Sequence, residues 1–99
     1  MNTTLTPNYT IRTGRRLVHV EYTEGWPMSF SYITSAIDWV YQRMCDHHHT
    51  TVWVLYWKKA DCLRVVRADV HVDSGNEIMR GTRQEIYHAL KAHLQVMST

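Results

Sequence analysis

Three polar side chains at alternating positions have residue types that could do acid–base chemistry. Asp69, His71 and Asp73 are spaced by two, so on a β-strand all three would point to one face. Carboxylate, imidazole and carboxylate in a row could bind a metal ion or act as the acid–base pair of a small hydrolase. The sequence pairs no nucleophile with a base and has no glycine-rich phosphate loop, which favours a non-enzymatic protein and leaves this hydrolase as a second alternative.

A run of imidazoles follows a cysteine near the middle of the chain. Cys45 and the residues His47, His48 and His49 are good ligand types for zinc or copper. Adjacent residues at a helix end point in divergent directions, however, and no second ligand pair is evident in the sequence. The run instead predicts a helix C-terminus, where cationic imidazoles interact favourably with exposed carbonyls. We assign no metal and no cofactor, and leave metal binding by this run open.

Basic residues fall at the turns and beside the aromatic ones, as they do in sheets that bind single-stranded nucleic acid. The residues concerned are Arg15, Arg16, Lys58, Lys59, Arg64 and Arg67. Lysine and arginine number 11 against 9 acidic residues, a formal charge of +2, and this near balance gives little support for a polyanion as partner. A single-stranded nucleic-acid-binding protein with a basic, aromatic sheet face is the first alternative.

Length and composition indicate one small globular domain. Ninety-nine residues, 44% of them hydrophobic and 20% charged, can bury a modest core but leave little room for a substrate cleft. We expect a single domain over 1–99, with 1–8 as a flexible arm. No apolar run approaches the roughly 20 residues needed to span a bilayer. The two cysteines, with no secretory leader before them, favour reduced thiols and a cytoplasmic location, in the host cell if a phage encodes the chain.

Hydrophobic periodicity predicts the order β-β-α-β-β-α. Alternation predicts strands over Tyr9–Thr13 and Arg16–Thr23, and a 3.6-residue stripe predicts a helix over 33–44 that Ser29 or Ser31 would cap. Trp26 is expected to pack as a lid over the start of that helix. A β-hairpin over 51–73 follows, then an uncertain stretch that could hold one helical turn. A capping box formed by Thr82 and Glu85 begins a second amphipathic helix.

These elements predict an α+β fold, a two-layer sandwich with a four-stranded antiparallel sheet and two helices on one face. The first strand of the hairpin is apolar on both sides, and the helices can cover only one. A four-residue loop over 58–61 would pair Trp57 with Cys62 and bury Trp53, Leu55 and Trp57. The row of Val66 would then face the helices as well. A five-residue loop would expose both tryptophans, and we favour the four-residue loop because it buries the larger rings.

With that register, one apolar and polar group shares the open face of the sheet and forms the expected binding surface. Its members are Val52, Val54, Tyr56, Leu63, Val65, Arg67, Asp69 and His71. An exposed patch of a few hundred Å² usually marks a partner's docking site.

The sequence therefore favours a small binding protein that acts by stoichiometric protein–protein interaction through this sheet face or a sheet edge. The partner would be another protein or protein complex, with a second copy of the chain as a further candidate. Small proteins with a full core and no catalytic group are often phage or mobile-element inhibitors, for example inhibitors of a host defence nuclease complex such as a CRISPR effector. That assignment is an expectation from the size class alone.

Overall fold

Eight elements, three strands and a helix followed by three more strands and a second helix, build the part of the chain that the structure describes. The structure is a computed structural model, and it describes residues 8–23, 25–70, 72 and 75–97. The elements are β1 (Asn8–Thr13), β2 (Val18–Tyr22), β3 (Met28–Phe30), α1 (Ile33–Asp46), β4 (Trp53–Lys59), β5 (Cys62–Arg67), β6 (Glu77–Gly81) and α2 (Arg83–Met97). Residues 1–7 of the arm expected over 1–8 lie outside the described residues, as do His71 and Asp73, whereas Asn8 is not part of an arm but begins β1.

The strands form one six-stranded sheet in the order β3-β2-β1-β5-β4-β6, and every neighbouring pair is antiparallel. The α+β class with two helices and an antiparallel sheet is confirmed, but the expectation of four strands is wrong. Strand β3 falls in the segment expected to be a loop and a helix cap, and β6 falls where one helical turn was expected. Both additional strands lie at the sheet edges, where pairing on one side is enough to hold them.

Both helices contribute their apolar stripes to the same core as one side of the sheet. The buried residues are Ala36, Ile37, Val40 and Met44 of α1 and Ile86, Leu90 and Leu94 of α2. They form one cluster with residues of β1, β2, β4 and β5, all on the same side of the sheet. The two helical stripes predicted from the sequence are therefore confirmed. Neither α1, of 14 residues, nor α2, of 15, is long and apolar enough to cross a membrane.

The two helices begin differently. At α2 the capping box is confirmed: the Thr82 backbone N–H donates to Glu85 Oε1 at 3.0 Å, and the Glu85 backbone N–H donates to Thr82 Oγ1 at 3.3 Å. At α1 the N-cap residue is Tyr32, which makes no side-chain capping bond. The expected cap by Ser29 or Ser31 is wrong, since Ser29 lies within β3 and its hydroxyl bonds His19 Nδ1 on β2 at 2.9 Å.

The central hairpin has a different register from the expected one. Trp57 pairs with Leu63 and Leu55 pairs with Val65, with an irregularity between Trp57 and Lys59 that lets Lys59 pair with Cys62. Trp53 and Leu55 are buried in the core as expected, and Trp57 packs against it half-buried. Leu63 and Val65 are also core residues, at 0% exposure, so their expected place on the open face is wrong.

The irregularity after Trp57 explains this difference. One extra residue at the turn end of β4 shifts the pairing by one, and a one-residue shift exchanges the two faces of the partner strand. The row of Val66 was expected to face the helices and instead points to the opposite side. The strand also ends at Arg67, so Ala68 and Val70 belong to a turn and not to a sheet row.

Candidate binding surfaces

The outer face of the sheet, meaning the strand side chains that point away from the core cluster, has little exposed apolar surface. Val54, Val66 and Cys62 lie on this face, yet they are only 0%, 1% and 2% exposed. Of the apolar residues expected to form a patch here, Val52 is 39% exposed and Tyr56 is half-buried. The structure therefore does not show the broad apolar face on which the sequence argument depended.

Two arginines lie across the outer face. Arg80 of β6 donates to the backbone carbonyl oxygen of Ala68 at 3.3 Å, so its side chain must cross β4 close to Val54, its neighbour in register. Arg64 of β5 reaches both neighbouring strands, donating to Thr10 Oγ1 at 3.0 Å and to the Tyr56 hydroxyl at 3.4 Å. Long arginine stems can cover apolar surface while the guanidinium stays polar. The outer face is therefore polar and basic.

The acid–base row expected on β5 is not assembled among the described residues. The strand ends at Arg67, and Asp69 is an exposed turn residue whose two carboxylate oxygens accept from the Arg67 guanidinium at 3.1 and 2.8 Å. His71 and Asp73 lie outside the described residues. Asp69 is thus engaged in a local ion pair beyond the end of the strand.

The imidazole run lies at the end of α1. His47 is the C-cap residue, its backbone N–H donating to the Met44 carbonyl oxygen at 3.0 Å, and the rings of His48 and His49 lie 4.1 Å apart. The helix C-terminus expected for this run is confirmed. Within the described ranges, no group of three or more His, Cys, Asp or Glu side chains could hold a metal ion.

The most exposed aromatic side chains lie at the two ends of β3. Trp26 is 87% exposed just before the strand, and Tyr32 is 71% exposed just after it. Tyr32 lies six positions after Trp26 in the chain, with the three-residue strand β3 between them. Tryptophan and tyrosine are the residue types that most often dominate protein–protein binding energy. The expectation that Trp26 packs as a lid is wrong.

Local constraints restrict the backbone on both sides of Trp26. The Gly25 N–H donates to the Tyr22 carbonyl oxygen at 3.4 Å, and a Cβ at position 25 would collide with the Tyr22 ring. Only glycine can therefore occupy position 25, so close to the Tyr22 ring. Pro27 follows Trp26 and fixes its own φ near −65°, which further limits the chain on either side of the exposed ring. The backbone that carries Trp26 therefore has little freedom to lose when the side chain binds.

Strand β3 is itself anchored to the molecule. It pairs with β2 through Val18 and Phe30, His19 and Ser29, and Val20 and Met28. The Phe30 ring lies 6.2 Å from that of Trp39, which in turn contacts the Tyr22 ring edge-on at 4.7 Å. Pairing with β2 and packing of the rings therefore anchor β3. The edge of β3 opposite β2 has no partner strand among the described residues.

The two edges of the sheet differ in charge. Strand β6 carries Glu77 and Arg80, which form an ion pair at 2.8 Å, and α2 packs beside it. Charged residues on an edge strand disfavour pairing with another chain. The segment from Trp26 to Tyr32, WPMSFSY, has no charged residue, and Pro27 is its one edge-blocking residue. The β3 edge, defined as residues 26–32, is therefore the one suited to receive a partner.

A surface groove of about 430 Å³ lies next to Tyr32 at one end of the β3 edge. Its lining includes Leu17, which is 39% exposed, together with Ile33 and Met97. Arg15 and Arg16 also line it, and none of the lining residues in the described part of the chain carries a carboxylate. A groove lined by apolar and cationic side chains would suit an apolar side chain flanked by acidic ones.

The chain matches no protein-family model, no curated protein and no solved structure in the three comparisons made. The assignment of a function therefore depends on the chemistry of these surfaces. The sequence analysis missed this edge, because it expected a loop and a helix cap there. The uncharged, aromatic run WPMSFSY is the signal that could have indicated it.

Proposed function

We propose that the protein is a non-enzymatic binding protein that engages a protein partner along the β3 edge. A strand of the partner would pair with β3 and extend the sheet. Trp26 and Tyr32 would contact that strand at its two ends. Main-chain hydrogen bonds supply affinity in this mode of recognition, and side chains at the ends of the strand supply specificity. The observation that carries the proposal is the 87% exposure of Trp26, a residue type that is rarely left so open.

The size of the expected contact is sufficient for a specific complex. Each aromatic ring can bury on the order of 150–250 Å². Trp26 and Tyr32 together therefore contribute about 300 Å² or more from this side, before the strand backbone and the groove beside Tyr32 are counted. A standard interface buries about 800 Å² per partner, and the β3 edge with its groove has the extent to approach that figure.

The groove at the Tyr32 end has both apolar and cationic lining residues, and together they favour one kind of partner segment. The groove has Leu17 and Met97 among its lining residues and Arg15 and Arg16 as its charged ones. A segment that pairs with β3 and ends in an apolar side chain next to a carboxylate would satisfy both features. If this docking covered a functional surface of the partner, the protein would act as an inhibitor. A cytoplasmic host nuclease complex stays one candidate target.

A selection from a random peptide library tests this function without knowledge of the natural partner. Peptides selected on the wild-type protein are then titrated by calorimetry against the double variant Trp26→Ala/Tyr32→Ala. Loss of both anchors should weaken binding by at least about 30-fold, since a hot-spot residue contributes about 2 kcal/mol or more. Because both rings are largely exposed, the variant should fold normally.

The matched control is Val52→Ala, which removes an apolar side chain that is 39% exposed just before β4, four strands away from β3 in the sheet. Its affinity for the selected peptides should equal that of the wild type. Peptides that bind the double variant and the wild type equally well would overturn the proposal, as would a selection that enriches no peptide able to protect the β3 edge.

A further inference from the structure

A second surface, on the outer face of the sheet, concentrates cationic side chains around Cys62. Lys59, Cys62 and Arg12 lie in one lateral row across three strands, and Arg64 lies two residues beyond Cys62 on β5. Adjacent strands are about 4.8 Å apart, so these cations lie within about 10 Å of one another at the backbone. A shallow recess of about 100 Å³ between them is lined by Thr10, Arg12, His19, Glu21, Lys58, Lys59 and Cys62.

The positive charges of this basic recess, defined as Arg12, Lys58, Lys59 and Arg64, have no ion-pair partner within the described ranges. Arg43, Arg67 and Arg80, in contrast, each pair with a carboxylate. Arg64 bonds only the neutral hydroxyls of Thr10 and Tyr56, which position its guanidinium without cancelling its charge. Among the described residues, the carboxylates near these four cations are those of Glu21 in the recess and Asp61 at the turn.

The thiol of Cys62 lies within reach of these charges. Burial is the largest influence and raises the pKa of this thiol above its ordinary value. The charges of Lys58, Lys59 and Arg64 act in the opposite direction and lower it. Asp61 acts in the same direction as burial, so three cations and one carboxylate lie close enough to influence this thiol.

We propose that the basic recess binds the phosphate backbone of single-stranded nucleic acid. The surface is an open sheet face, which suits a flexible strand laid across it, and the side chains of Tyr56 and His19 lie half-buried beside the cations. Aromatic rings within a positive groove are the usual means of binding single strands without sequence preference. The recess is on the outer face and not on the β3 edge, so this activity does not depend on the proposed protein partner.

Fluorescence anisotropy with a labelled 20-nucleotide oligothymidylate tests the proposal. Each neutralised phosphate contributes a slope of about −0.7 to log affinity against log salt for single strands. If each of the four cations neutralises one phosphate, the total slope is about −2.8. The affinity should then fall about 50-fold between 50 and 200 mM salt. The variant Lys58→Gln/Lys59→Gln keeps two cations, and its affinity should fall only about 7-fold over the same interval.

The matched control, Arg83→Gln/Lys91→Gln, removes the same net charge from α2 and should keep the wild-type salt dependence. Equal effects of the two double variants would overturn the site. Polyglutamate of matched charge that competes as strongly as the oligonucleotide would overturn the ligand class and indicate an acidic protein instead. Failure of the wild type to bind the oligonucleotide at 50 mM salt would also overturn the proposal, and leave the β3 edge unaffected.

Discussion

The side of the sheet on which Leu63 lies can be tested by deleting its side chain. Leu63 is 0% exposed in the central strand β5, between Trp57 on β4 and Ile11 on β1. Leu→Ala at such a site costs about 3–5 kcal/mol, and hydrogen-bonded neighbours on both sides limit how far the cavity can collapse. We expect Leu63→Ala to lower the free energy of unfolding by about 3 kcal/mol and Tm by roughly 12–24 °C. Urea and thermal unfolding, followed by circular dichroism, measure both.

The adjacent residue supplies the control. Arg64→Ala alters the outer face and removes two hydrogen bonds to neutral hydroxyls, which should cost about 1 kcal/mol. If Leu63→Ala cost less than about 1 kcal/mol while Arg64→Ala cost more, β5 would present the opposite face to the helices. Leu63 and Val65 would then belong to the open face, as the sequence argument expected.

Two further predictions concern local chemistry. Hydrogen bonds from the Thr82 backbone and hydroxyl lower the pKa of the Glu85 carboxyl below its ordinary value, so the folded state favours the carboxylate. Glu85→Ala should therefore destabilise the protein at neutral pH, and the difference from the wild type should shrink as pH falls below about 4.5 towards the lowered pKa; a difference that does not vary with pH would contradict this assignment. For the thiols, Cys45 is half-buried whereas Cys62 is 2% exposed with its pKa raised by burial, so a disulfide reagent should label Cys45 first and Cys62 slowly. Labelling of Cys62 as fast as that of Cys45 would show that the outer face opens readily.

The helices could be predicted from the sequence because their signals are local. Apolar residues at offsets of three and four define each buried stripe, and the bonds between Thr82 and Glu85 span three residues. Neither signal depends on a distant part of the chain. Local patterns of this kind also indicated β1, β2 and β4 within a few residues of their bounds, whereas β5 ends at Arg67, well before the expected end of the hairpin at 73.

The edge strands and the register depend on distant partners, and the sequence did not reveal them. Strand β3 has three residues and follows Pro27, so it has too little alternation to indicate a strand. The extra residue between Trp57 and Lys59 reverses which side of β5 faces the core, although neither strand shows it alone. Burial of Val54 beneath a side chain from another strand, that of Arg80, is likewise a tertiary feature.

Backbone hydrogen exchange gives the most direct test of docking at the β3 edge. Amide exchange would be measured by NMR for the free protein and for its complex with a selected peptide. The proposal predicts slower exchange over Met28–Phe30 and a shifted indole N–H resonance for Trp26, with little change at the basic recess. Unchanged exchange in β3, with new protection confined to other strands, would contradict it.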